Sequence, residues 1–281
     1  MDQFILFGDS ITQQSFSQDR GFGFGAALAD IYARKLDVIN RGLSGYNTSQ
    51  ALWVLPKIIP HTAQARVRFL TIFFGANDAR LPNTPGPSQT ISLEQYKENL
   101  KAIVKHPVVD AQRKCGMRVI LITPPPIDER LTIAADKVKY PGITVIRRTA
   151  DNTARYAQVC RDVGAELDVP VLDIWTSILA QTGWASNTTV PLPGLRTVEN
   201  AALATYLHDG LHFTGEAYKV LFQDLMTLIR VRFPDQVPER LPNGLPPWDD
   251  EEAWENEEAM LDYSMRYTAT NKAARMPPRL N

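Results

Sequence analysis

Short apolar runs alternate along this chain with longer stretches in which apolar residues recur every three or four positions. The runs Gln3–Gly8, Leu36–Asn40, Val67–Gly75, Met117–Thr123 and Val169–Asp173 are brief, nearly uninterrupted and rich in β-branched or aromatic residues. Strands buried on both faces of a parallel sheet read this way. Between them, Gly25–Lys35, Thr48–Ile59, Leu93–Lys105, Arg147–Leu167 and Ile174–Gln181 are amphipathic with a helical period. A last helix is expected from about Gly215 to Arg232. This β-α alternation predicts a three-layer α/β/α sandwich around a parallel five-stranded sheet. Ligands of such folds bind beyond the carboxyl ends of the strands.

Three stretches depart from that rhythm. Pro124–Pro126 stops the fourth strand and opens a charged segment reaching about Tyr140, which reads as a surface loop or lid. Ala185–Glu199 reads as a second loop. Beyond Phe233 the composition turns to proline, glycine and acid: Trp248–Glu258 holds seven acidic residues in eleven, and 274–281 ends in basic and proline residues. The expected organisation is a domain over 1–233 and an acidic extension over 234–281, wrapped on the core or partly disordered.

Thirty basic residues against thirty-one acidic ones leave a net charge of -1, so no global field recruits nucleic acid or an acidic membrane. No apolar stretch approaches the ~20 residues that span a bilayer. The chain opens on Met1-Asp2-Gln3 without a basic region or cleavage site, so cytoplasm is the expected compartment. Cys115 and Cys160 cannot make a disulfide framework and read as reduced, mostly buried thiols. The sequons at Asn47 and Asn187 carry no weight without export. Assembly of identical chains is compatible with the sequence.

The polar clusters respect the strand ends. Ser10 follows the first strand, Gly42–Asn47 the second and Gly75–Asp78 the third, which puts all three on one rim of the sheet. Far along the chain stands Asp209-Gly210-Leu211-His212. Serine, imidazole and carboxylate are the minimum set for nucleophilic acyl transfer: His212 takes the Ser10 proton, and Asp209 holds the other ring nitrogen. Acyl transfer also needs donors aimed at the developing oxyanion, and Ser10, Gly45 and Asn77 are the candidates. Each residue has a plainer reading: Ser10 as a helix N-cap, Asp209 as an Asx-turn, His212 as a core histidine, Asn77-Asp78 as a turn. His208 and His212 stand four apart, as in a zinc helix, but Gly210 weakens such a helix and neither His61 nor His106 is an obvious third ligand. No metal site is therefore expected. The elbow G-x-S-x-G is absent because Thr12 stands at the second glycine, which disfavours the ordinary α/β-hydrolase fold.

Taken together, Gly8-Asp9-Ser10, Gly45, Gly75-Ala76-Asn77-Asp78 and Asp209-Gly210-Leu211-His212 resemble the four blocks of the SGNH (GDSL) hydrolases, over about residues 3 to 232. The flanking text is most similar to the isoamyl acetate-hydrolysing esterases. The resemblance implies a flavodoxin-like fold without metal or organic cofactor. It also implies Ser10 as nucleophile, His212 as base, Asp209 as orienting acid, and Ser10, Gly45 and Asn77 as the oxyanion hole. The implied activity is hydrolysis of short acetate-type esters, a small-molecule substrate, through an acyl-serine. An acyltransferase, a thioesterase or a sugar O-acetylesterase would use the same residues. From another class comes a non-catalytic interaction protein docking through the acidic Trp248–Glu258 segment.

Overall fold

The computed structural model describes residues 1–186, 189–198 and 201–260. Asn187, Thr188 and the basic end at 274–281 lie outside the described residues. Five parallel strands, β1 (Asp2–Gly8), β2 (Leu36–Gly42), β3 (Val67–Phe73), β4 (Arg118–Ile122) and β5 (Val171–Leu172), lie in the order β2-β1-β3-β4-β5. This is the flavodoxin-like order.

Strand side chains alternate between two cores, as the pleat requires. Phe4 and Leu6 of β1 point one way with Phe69, Phe73, Ile120 and Ile122. There they meet α2 (Phe24–Ile31), α8 (Ile174–Gln181) and α10 (Gly215–Arg232). Ile5 and Phe7 point the other way with Leu70, Ile72 and Leu121. That side is covered by α3 (Thr48–Ile58), α4 (Leu93–Val104), α5 (Pro107–Lys114) and α7 (Ala150–Leu167). Both faces of β1 and β3 are thus buried, which explains their unbroken apolar runs.

Three expectations change, and one helix was not foreseen. The 124–140 segment is not a surface loop. Residues 124–129 are buried, and α6 (Glu129–Lys139) follows, capped by the Asp128 carboxylate on the Arg130 and Leu131 N–H groups. Arg147 and Arg148 precede α7 rather than opening it, because Thr149 caps its first turn through Asn152 N–H. Cys115 is exposed, since it ends α5 instead of facing the core; Cys160 is buried as expected. The α5 helix itself was hidden behind Pro107, which is accommodated at its first turn.

Residues 234–246 run back along the end of the sheet far from the strand tips. Gln236 is fully buried, Tyr32 donates to its carbonyl at 3.0 Å, and Lys35 donates to the Leu241 carbonyl at 2.9 Å. No helix among the described residues is long and apolar enough to cross a membrane.

Candidate active site

The three strand-end clusters meet where β1 passes to β3, the switch point at which this strand order reverses. Ser10 is the first residue of α1 (Ser10–Gln13), a single turn directly after β1. The cap of that turn is Asp9, not Ser10: its carboxylate accepts from Ile11 N–H at 2.9 Å. The Ser10 hydroxyl is therefore left for other work, and its N–H is one of the helix-start donors without an intrahelical partner.

Ser10 Oγ lies 2.9 Å from His212 Nε2, across 202 positions of sequence. His212 Nδ1 lies 2.7 Å from Asp209 Oδ2. A carboxylate at Nδ1 fixes the proton there, so Nε2 of the neutral ring accepts from the serine. Asp209 Oδ1 also accepts from the N–H groups of Leu211 at 3.0 Å and His212 at 2.8 Å. Partial burial pushes the Asp209 carboxyl up, but the bond from His212 and these two N–H groups hold it well below the usual carboxylate range.

The loop that carries this pair is pinned on both sides. Leu207 and Phe213 form an antiparallel bridge, and Phe213 is fully buried, edge-on to Tyr218. The Tyr218 hydroxyl donates to the Ile11 carbonyl at 2.6 Å, tying α10 to the Ser10 turn. Gly210 adopts φ +83°, and a Cβ there would stand 2.5 Å from the Asp128 carbonyl oxygen. Glycine lets the loop turn left-handed and sit against the start of α6.

On the opposite side, Asn77 donates through Nδ2 to the Tyr46 carbonyl at 3.0 Å, leaving its second amide hydrogen uncommitted. Its Oδ1 accepts from Arg148 Nη2 at 3.1 Å, and Arg148 Nη1 also donates to the Ala76 carbonyl. The guanidinium thereby selects the amide orientation, because only an oxygen can face it. Gly45 has φ +83°, and its carbonyl is held by Gln89 Nε2 at 2.8 Å. Thr48, just beyond this loop, is fastened to the Asp78 carboxylate through its N–H at 3.0 Å and through its hydroxyl.

Charge here is shaped by burial. Asp9, 1% exposed, is pushed from 3.8 to about 6 by desolvation, partly offset by Ile11 N–H and the charges of His212 and Arg148. Asp78 rises from 3.8 to about 7 for the same first reason, against its Thr48 bonds. Arg148 falls to about 10 through burial and the neighbouring Arg147.

Ser10, Asp209, His212, Gly45 and Asn77 all line one cleft of about 200 Å³. His208 is exposed; its ring stacks on His212 at 5.8 Å. Donor atoms of His208, Asp209 and His212 gather within 4.8 Å, but both His212 nitrogens are engaged by Ser10 and Asp209. A metal at that cluster would have to break one of those bonds. Arg147, Arg148, Gln89 and α6 also border the cleft and were not found from sequence; Arg147 and Arg148 read only as the opening of the amphipathic stretch Arg147–Leu167.

A hydroxyl bonded to an oriented imidazole at strand tips is an arrangement that can carry out serine-based acyl chemistry. The chain belongs to the GDSL-like lipase/acylhydrolase family, whose model matches residues 6–220, and it is a carboxylic-ester hydrolase. It is 37% identical over 259 residues to the isoamyl acetate-hydrolyzing esterase 1 homolog of Rattus norvegicus, covering 92% of this chain and 91% of that one. A GDSL esterase/lipase of Arabidopsis thaliana is 36% identical over 86% of this chain and 91% of its own. Among solved structures, a lipase/acylhydrolase from Enterococcus faecalis superposes with TM-score 0.55 at 26% identity, covering 83% of this chain and 97% of that one. Family membership sets the non-catalytic reading aside.

Proposed function

We propose that the protein hydrolyses small acyl esters, acetates foremost, through an acyl-Ser10 intermediate. The observation that carries this reading is the continuous relay Ser10 Oγ, His212, Asp209, with contacts of 2.9 and 2.7 Å. Ser10 Oγ attacks the acyl carbon as its proton passes to His212 Nε2. The imidazolium is stabilised by Asp209, whose depressed pKa keeps it ionised at neutral pH. The oxyanion is received by the N–H groups of Ser10 and Gly45 and by Asn77 Nδ2, with the Arg148 charge behind them. The imidazolium then protonates the departing alcohol. Water, deprotonated by His212, attacks the acyl-serine and frees the acid.

The size of the cleft supports short acyl groups: about 200 Å³ is below the range of ordinary small-molecule pockets. Its apolar lining is confined to Leu211 and Ala135, beside Gly45. The relatives named for isoamyl acetate agree with an acetate preference. Cytoplasm is the compartment we assign, and its two free cysteines agree with a reducing one. A series of p-nitrophenyl esters of increasing acyl length tests the substrate reading. kcat/KM is expected to fall at least tenfold between acetate and octanoate, by exclusion from this cleft. A rate that rises with chain length would contradict it.

A further inference from the structure

The cleft has an outer wall that the acyl chemistry does not use. Thr132, Ala135, Asp136 and Lys139 line it from one face of α6, with Arg147 beside them. Behind the lining, Arg80 adds a further cation close to Arg147, Tyr140 and Asp136. Arg80 is 2% exposed, and its donors go to carbonyl oxygens of Thr84, Pro85 and Pro87 and to neutral side chains. Carbonyls satisfy hydrogen bonds without cancelling a full charge.

Arg147 is 8% exposed and pairs with Asp136 at 2.5 Å, its guanidinium 4.6 Å from the centre of the Tyr140 ring. Its Nε is buried and has no hydrogen-bond partner among the described residues. Arg148 stands close enough for Arg80 and Arg147 to lower its affinity for a proton. Lys139 makes no ion pair among the described residues and lies 5.5 Å from the Tyr140 ring. Three of these cations, Arg147, Arg148 and Lys139, border the cleft; beside them stand Asp136, which pairs with Arg147, and the buried Asp9, while Asp209 is committed to His212. A guanidinium with a single carboxylate partner, beside an ammonium with none among the described residues, both lining the cleft, is a setting that suits an anionic oxygen.

We propose that the cleft selects esters bearing a second, acidic oxygen group, a carboxylate or phosphate, seated between Lys139 and Arg147 while the scissile carbonyl faces Ser10. The proposal rests on the reading of Ser10 as nucleophile. It makes Lys139 and Arg147 specificity-determining residues: they hold the part of the substrate that does not react. Planar guanidinium suits a carboxylate or phosphate, and the flexible lysine adds a point charge. The acidic group of the substrate stays ionised throughout and exchanges no proton.

The test compares γ-acetoxybutyrate with its uncharged amide, which has the same shape and the same scissile acetate. The acid is expected to have a kcat/KM at least about tenfold higher at low ionic strength, chiefly through KM, shrinking as salt screens the exposed lysine. Lys139→Gln is expected to reduce the acid-to-amide ratio about fivefold, and Lys139→Glu to bring it to or below unity. The side chain is exposed, so these variants keep the fold. Equal kcat/KM for acid and amide in the unaltered protein would overturn the selectivity and leave ester hydrolysis standing. A ratio unmoved by Lys139→Glu would overturn the assigned seat. Hydrolysis of neither ester would overturn the functional reading and this proposal with it.

Discussion

The inner and outer halves of the cleft are built differently. The inner half hangs on strand tips: Ser10 after β1, Gly45 beyond β2, Asn77 after β3, and a His212 loop anchored by buried Phe213. The outer half is one face of α6 with Arg147 beside it, while Arg148 turns inward onto Asn77. Strand tips in a sheet buried on both faces hold their side chains to fixed positions, as bond making requires. A helix at the rim can vary its exposed face without disturbing the core, which suits substrate choice.

After the loss of Ser10 itself, the largest effect expected from breaking the inner half is at Asn77. Asn77→Ala should lower kcat about 10²–10³-fold with little change in KM, because its donor acts in the transition state. Arg148→Gln should lower kcat less, about 10–100-fold, since it removes the orienting group and its charge but leaves the donor. In the double variant the losses should fail to add, because both act on one amide. Additive losses in a kinetic double-mutant cycle would separate Arg148 from Asn77.

Phe213→Ala is expected to cost about 3–5 kcal/mol of stability in denaturant titration, by opening a cavity under the His212 loop. An exposed outer residue such as Lys139 should cost less than about 0.5 kcal/mol. Equal costs would contradict the division into a rigid interior and a variable rim.

In the pH profile of stability, Asp9 and Asp209 have opposite signs. Asp9 is raised from 3.8 to about 6, so its protonated form suits the fold. Its contribution is full below pH 3.8 and is lost as pH rises through about 6. Asp209 is depressed below 3.8; its contribution is present above that pH and is lost as pH falls through its lowered value. Asp9→Asn should therefore gain stability relative to the unaltered protein, up to about 3 kcal/mol at pH 8, and the gain should vanish near pH 4. Melting temperatures of both proteins across that range check it; a gain that grows towards acid would reverse the assigned sign.

Much of the inner half was legible in the sequence. Strands buried on both faces write unbroken apolar runs, so their carboxyl ends could be located and the polar clusters placed on one rim. Asp209 and His212 were legible because a three-residue spacing confines both to one turn. The outer half was not. Pro124–Pro126 looked like the start of an exposed loop, yet residues 124–129 are buried because the Gly210 loop and α6 pack over them. That contact joins segments some eighty positions apart and leaves no local period. Arg148 was missed for a related reason: it stood inside the expected amphipathic stretch Arg147–Leu167, and only the fold turns it inward onto Asn77. The Asp9 cap was likewise hidden beside Ser10, an equally good capping residue.

The central claim is that Ser10 Oγ carries the acyl group. Rapid quenching during turnover of an acetate ester, followed by peptide mass mapping, tests it most directly. An acetyl group on the peptide containing Ser10, absent in Ser10→Ala together with hydrolysis, is the expected result. Acetyl on another residue, or turnover that survives Ser10→Ala, would contradict it.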